Sequence, residues 1–339
     1  MKKWIAAALA LVILTVGAAL YIDKQHTYRM IERSIEIPSP HGKLTGTLVL
    51  PKSFTEKIGL VLFVHGDGPI NATHDDGYKP LWERLAAKGY ASLSLNKRGI
   101  NGSEGNWLDQ SIDDRVLEAK QAIAWAKEQP EIDRSRIGVW GASQAGWVLP
   151  KLAGEEPLAF SILVSPAIQW LRQGEYNTRR QMAKDGKSQV EIEKQVAQEK
   201  EILPLLEANA SYEDYRRLVQ GEHSMTSERW DFVKRNYKAD ATSDLANFNS
   251  PVLLLLGDQD IHVDFRETEA VYEQAIPSSL LTVNVFPDTE HSMLRTATAD
   301  SDLRATFISL FAPRSITTEA YMDTIDNFLD HLDKEGHHN

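Results

Sequence analysis

An apolar stretch, Ile137-Gly138-Val139-Trp140, runs straight into Gly141-Ala142-Ser143-Gln144-Ala145-Gly146. A serine on a sharp strand-to-helix turn between small residues is presented as a nucleophile, because strand and helix pass too close there for larger neighbours. Gly141 meets that demand, and Ala145 stands where a second glycine is usual. The same segment also reads as an ordinary strand–turn–helix with Ser143 as a cap. A serine nucleophile needs a base, and the base needs an acid to orient it. Two later segments offer both in the order serine, acid, histidine. Leu253-Leu254-Leu255-Leu256-Gly257-Asp258-Gln259-Asp260 ends an apolar run in a turn with two aspartates. Phe286-Pro287-Asp288-Thr289-Glu290-His291 follows the last apolar run. Parallel sheets place ligands just past the carboxyl ends of their strands, so His291 is the expected base and Asp258 or Asp260 the acid.

A tetrahedral oxyanion needs two backbone N–H donors preset where the charge develops. The residue after the nucleophile, Gln144, supplies one. The loop Val64-His65-Gly66-Asp67-Gly68-Pro69 supplies the other, through Asp67 or, as second choice, Gly68; Pro69 has no N–H. His65 precedes the serine and reads as a residue that braces this loop. His262 follows the aspartates too closely to be the base. His74 sits in a polar loop where solvation is the simpler role, with substrate within reach. His26, His41, His223, His331, His337 and His338 lie near the first segment, in a turn, in the middle stretch or in the tail.

These residues need a scaffold, and the chain alternates in the way that builds one. Residues 28–52 read as two strands around a Pro-His-Gly turn. Strands are expected at 58–64, 90–95, 136–140, 158–164, 252–256 and 281–286, and helices at 80–88, 111–128, 144–153 and 318–332. This order predicts an α/β protein with a mostly parallel sheet and helices on both faces. Residues 167–248 carry no strand signal, only polar helical sequence, and roughly 80 residues are too many for a loop. They are expected to form a helical cap inserted into a core made of 28–166 and 249–334.

The 339 residues are 42% hydrophobic and 25% charged, an ordinary globular balance. There is no cysteine, which excludes a thiol nucleophile, Cys-ligated zinc, an iron–sulfur cluster and a lipoprotein anchor. A net charge of −11 argues against nucleic-acid partners. Residues 1–23 stand apart. Lys2 and Lys3 precede an uncharged run from Trp4 to Ile22, which as a helix spans about 28 Å at roughly 1.5 Å per residue. That nearly matches a bilayer core of about 30 Å and favours an uncleaved anchor, with the body outside the cytoplasm. Val16-Gly17-Ala18 is a passable cleavage site for the alternative, a secreted or periplasmic body.

His65-Gly66, Asn96-Lys97-Arg98-Gly99-Ile100-Asn101-Gly102-Ser103, Gly141-x-Ser143, Asp260 and His291 together resemble an α/β-hydrolase. The resemblance is greatest to the carboxylesterase and dienelactone-hydrolase-like branch, which has serine aminopeptidase-like members. It covers about residues 31–332 apart from the insertion. It implies a Ser143–His291–Asp260 hydrolase that needs no metal and no organic cofactor, with Gln144 and Asp67 as oxyanion donors and Asp258 as the lesser choice of acid. Asn96 departs from the usual aspartate and Ala145 from the usual glycine. The expected reaction is cleavage of a small carboxylic ester through an acyl-enzyme. An exopeptidase on short peptides, for which Glu175, Glu191 and Glu193 offer acids in the cap, is the alternative, followed by a thioesterase or acyltransferase. A binding protein on an inactive scaffold is disfavoured by the intact serine, acid and histidine.

Overall fold

The computed structural model describes residues 2–219 and 225–336. The chain opens with α1 (Lys2–His26) and a hairpin of β1 (Met30–Ile37) and β2 (Leu44–Pro51). It then alternates through β3 (Ile58–Val64), α2 (Lys79–Ala87), β4 (Tyr90–Leu95), α3 (Ile112–Lys127), β5 (Ile132–Ala142), α4 (Leu149–Glu155) and β6 (Ser161–Val164). Next come α5 (Trp170–Lys184), α6 (Gln189–Lys200), α7 (Leu203–Glu207), α8 (Tyr212–Val219) and α9 (Ser227–Asn236). Alternation resumes with β7 (Val252–Gly257), α10 (Phe265–Ala275) and β8 (Leu281–Phe286). Two short helices, α11 (Thr296–Ala299) and α12 (Asp302–Phe311), precede the closing α13 (Glu319–Gly336).

The eight strands form one sheet in the order β1-β2-β4-β3-β5-β6-β7-β8. Strand β2 runs antiparallel to both neighbours, and every pair from β4 through β8 is parallel. All seven residues of β3 and all six of β7 are buried, as strands covered on both faces must be. Their side chains divide between two cores. Leu60, Leu62, Leu254 and Leu256 meet α3, α4 and α10 on one face. Val61, Phe63, Leu253 and Leu255 meet α2 and α13 on the other. Helices α7 to α9 have a third, smaller core around Leu206, Tyr215 and Trp230.

Several details differ from the reading of the sequence; among the strands, β6 starts at Ser161 and not at 158. The helix expected at 144–153 is broken: Ser143–Trp147 forms a 3-10 turn and α4 starts afresh at Leu149. Pro150 causes this, since it cannot donate a helical hydrogen bond and belongs in a first turn. Strand β5 begins four residues early, because Ile132 pairs with Ile58 across a register shift. Helices α10 and α12 were not apparent in the apolar pattern.

Candidate active site

Ser143 lies at the junction of β5 and the 3-10 turn, with φ +54°. Such a left-handed conformation is costly for a residue with a Cβ and persists where the surroundings enforce it. Here strand β5 enters from the sheet, and the Ala167 N–H donates to the Ser143 carbonyl at 3.0 Å. The turn is tight enough that a Cβ on Gly141 would stand 2.7 Å from the Cβ of Ala145. The glycine at 141 is what leaves room for alanine at 145. A Cβ on Gly66 would likewise come to 3.2 Å from the Ser143 Cβ, so the β3 loop passes directly over the serine.

Beyond β7 and β8, His291 Nδ1 and Asp260 Oδ2 are 2.7 Å apart. Asp258 takes no part in this pair. Asp260 is 1% exposed, yet its charge is supported: Oδ1 accepts the N–H groups of His262 and Val263 at 2.7 and 2.9 Å. Burial alone would raise the Asp260 pKa; the His291 charge and these hydrogen bonds bring it below the ordinary carboxyl value. Burial also works to lower the His291 pKa, but Asp260 outweighs it and leaves the imidazole above its usual value. Ser143 and His291 form no direct hydrogen bond among the described residues, a spacing common before substrate draws such groups together.

The loop after β3 is held by buried cations. Lys97 Nζ donates to the Gly66 carbonyl at 2.5 Å, and Arg115 donates to the His65 carbonyl. Arg115 Nη1 also donates to Gln144 Oε1 at 2.5 Å, and Gln144 Nε2 to Asp67 Oδ1 at 3.2 Å. Burial lowers the Lys97 pKa far below that of a free lysine and brings Arg115 to about 10. From α9, Arg229 reaches across to clamp both oxygens of Asp67, at 3.0 and 2.6 Å. Burial pushes the Asp67 carboxyl up, but Arg229 outweighs it and the group stays charged. The Asp67 N–H meets no acceptor among the described residues.

His65 is the brace its position suggested. Its Nε2–H donates to the Leu95 carbonyl at 2.6 Å, Tyr78 meets Nδ1 at 3.2 Å, and burial holds its pKa down to about 3. Asn96 uses a donor that an aspartate would lack, from Nδ2 to Thr45 Oγ1 at 2.8 Å, while Arg98 pairs with Glu118 at 2.5 Å.

Ser143, Gln144, Asp67 and His291 all line one cavity of about 850 Å³, with Asp260 behind the histidine. Trp170, Gln173, Asn177 and Arg229 bring α5 and α9 into the same wall. His74 and His262 are also at the cavity; the rings of His262 and His291 lie 5.1 Å apart. Glu175 and Glu193 instead pair with Arg179, and Glu191 closes the α6 capping box. His26 and His41 are away from the cavity, His331 is on α13, and His223, His337 and His338 lie outside the described residues. Arg229 and Arg115 escape the reading of the sequence, and Lys97 enters it only as a member of the Asn96–Ser103 motif. All three are far along the chain from the loop they hold, and a lone Arg or Lys is no signal until the fold joins it to its partner.

The family model of X-Pro dipeptidyl-peptidases (S15 family) matches residues 38–285. Dipeptidyl-peptidase 5 of Porphyromonas gingivalis is 23% identical over 267 residues, 75% of this chain and 34% of its own length. The chain thus spans about a third of that relative. Among solved structures, the Pyrococcus furiosus esterase Pf2001 superposes with TM-score 0.56 at 17% identity, covering 89% of this chain and 91% of that one. Est1E from Butyrivibrio proteoclasticus, with ferulic acid bound, gives 0.54 at 16% identity, covering 89% and 98%. The fold is that of the α/β-hydrolases.

Proposed function

The chain belongs to the X-Pro dipeptidyl-peptidase (S15) family of α/β-hydrolases, and from that premise we propose that it is a serine hydrolase of carboxylic esters working through Ser143, His291 and Asp260. The observation that carries this is the 2.7 Å Asp260–His291 pair facing the cavity that also holds the left-handed Ser143. Neutral His291 takes the Ser143 proton as the oxygen attacks the substrate carbonyl, forming the C–O bond of a tetrahedral intermediate. The N–H groups of Gln144 and Asp67 receive the oxyanion. The imidazolium returns the proton to the leaving alcohol, the intermediate collapses to an acyl-enzyme, and water repeats the steps to release the acid. No step calls for a metal or an organic cofactor.

Lys97 is a positioning residue in this scheme. The Gly66 carbonyl and the Asp67 N–H are two ends of one peptide unit, so the ammonium that holds the carbonyl also aims the donor. Lys97→Met is expected to lower kcat by roughly tenfold to a hundredfold, less than the 10²–10³ that follows loss of a donor outright, with KM little changed. Steady-state kinetics at fixed pH separate the two constants; a rise in KM alone would assign Lys97 to substrate binding.

An aminopeptidase needs a carboxylate free to receive a substrate ammonium. The three cap glutamates are committed elsewhere and Asp67 is clamped by Arg229, which supports the ester reading; Asp75, which also lines the cavity and accepts from Asn71, pairs with no cation among the described residues and is the carboxylate an exopeptidase would use. The family name favours the other reading, cleavage after an X-Pro dipeptide. Turnover of p-nitrophenyl butyrate and Gly-Pro-p-nitroanilide by the same preparation decides between them. The ester is expected to exceed the anilide by at least about a hundredfold in kcat/KM, a difference of ~2.7 kcal/mol. Preference for the anilide would overturn the ester assignment.

Helices α5 to α9 act in this reading as the cap that shapes the acyl pocket. The α1 helix is long and apolar enough to cross a membrane. With Lys2 and Lys3 on the cytoplasmic side, it tethers the body to the outer face.

A further inference from the structure

Helix α12 has no buried residue. Leu303, Phe307 and Leu310 are 82%, 61% and 57% exposed and lie at i, i+4 and i+7, one stripe along the helix, which Phe311 extends. Ala305 and Ser309 project from the opposite side, roughly 180° around at about 100° per residue, and line the cavity that holds Ser143. A helix that forms a wall of the site thus turns three large apolar side chains outward.

What faces that stripe follows from its neighbour. The apolar run of α1 ends at Ile22, and His26 on the next turn is 2.9 Å, through Nε2, from the Leu310 carbonyl. Arg314, just past α12, donates to the Thr27 carbonyl at 2.9 Å and stacks over Tyr28 at 4.6 Å. Four residues of helix rise about 6 Å. Leu310 therefore stands about as far beyond the end of the apolar run as the headgroup layer is deep, roughly 5–8 Å. Interfacial helices bury their apolar faces at this depth.

We propose that α12 lies in the surface of the bilayer that α1 crosses, and that the cavity behind it takes its substrate from that bilayer, as an ester of a membrane-partitioned acyl chain. This rests on the reading of α1 as an anchor and of the site as an esterase. The net charge of −11 gives the body no attraction to anionic lipid, so contact depends on the apolar stripe.

The full chain has no cysteine, so single labels are unambiguous. Leu11→Cys in α1, Phe307→Cys in α12 and Glu128→Cys on the remote surface, each carrying an environment-sensitive fluorophore, would be placed in phosphatidylcholine proteoliposomes containing spin-labelled lipid. Quenching at 11 and 307 and none at 128 is the expected result. Quenching at 11 alone would overturn the inference and leave the anchor standing; quenching at neither would remove the anchor and this inference with it. As a second measurement, Leu303→Asp with Phe307→Asp is expected to cut hydrolysis of a long-chain ester embedded in the same vesicles by at least about tenfold. Soluble p-nitrophenyl butyrate would be cleaved as before. Equal loss on both substrates, or loss on neither, would overturn the bilayer supply, and no ester turnover even in the parent chain would fall on the esterase reading, with the label positions still reporting on α12.

Discussion

Ser143→Ala is expected to lower turnover of any substrate the enzyme accepts by at least about 10⁴-fold, leaving the residual rate that oxyanion donors and binding supply alone. The substitution removes one oxygen and keeps the Cβ, so the left-handed turn at φ +54° is neither relieved nor worsened. The Ala167–Ser143 backbone hydrogen bond and the close passage of Gly66 do not involve Oγ as a partner that holds the fold. Thermal stability is therefore expected to change by less than about 1 kcal/mol. Two measurements check this: kcat by active-site-normalised assay, and the melting temperature of the same sample. Covalent labelling by a fluorophosphonate should vanish with the activity. A variant that keeps a tenth of its activity and folds normally would show that another group attacks the carbonyl.

Much of this site can be read in the sequence because its parts are local. The runs of β3 and β7 are apolar at every position, and only a strand buried on both faces needs that. Gly141 and Ser143 lie within one turn, and His291 follows β8 at a place where a parallel sheet gathers ligands. The acid was open between Asp258 and Asp260 on residue type alone. The family resemblance points to Asp260, and it is Asp260 whose Oδ2 lies 2.7 Å from His291 Nδ1 while its Oδ1 accepts two backbone N–H groups. What could not be read joins distant elements. Arg229 meets Asp67 across 162 positions of chain, and no periodicity reports such a pair. Lys97 and Arg115 look like solvated charges until β3, β4 and α3 pack together and bury them. Helix α10 did leave a local trace: Asp264 caps it, and Phe265, Thr268 and Tyr272 are its buried positions. That spacing is short beside the runs around it.

Asp260→Asn is the change that separates orientation from proton affinity. The carboxamide oxygen can still accept the His262 and Val263 N–H groups, which leaves its NH₂ facing His291 Nδ1. Nδ1 must then accept, so the neutral imidazole carries its proton on Nε2, the atom that should take the proton of Ser143. A wrong tautomer of this kind costs about 10⁴ in kcat. The pH profile moves independently of that loss. In the parent enzyme the base must be neutral, and Asp260 raises the His291 pKa, so the acid limb of kcat/KM is expected above the ordinary histidine value of about 6.5. With the carboxylate gone, burial acts on His291 with far less opposition, its pKa falls, and the limb shifts to lower pH even as the plateau drops. Profiles measured between about pH 5 and 9 on both proteins test the two effects together. A lower plateau with an unmoved limb would mean that Asp260 positions His291 without setting its charge. A limb that shifts upward would contradict the pairing altogether, because no other described carboxylate touches the imidazole of His291.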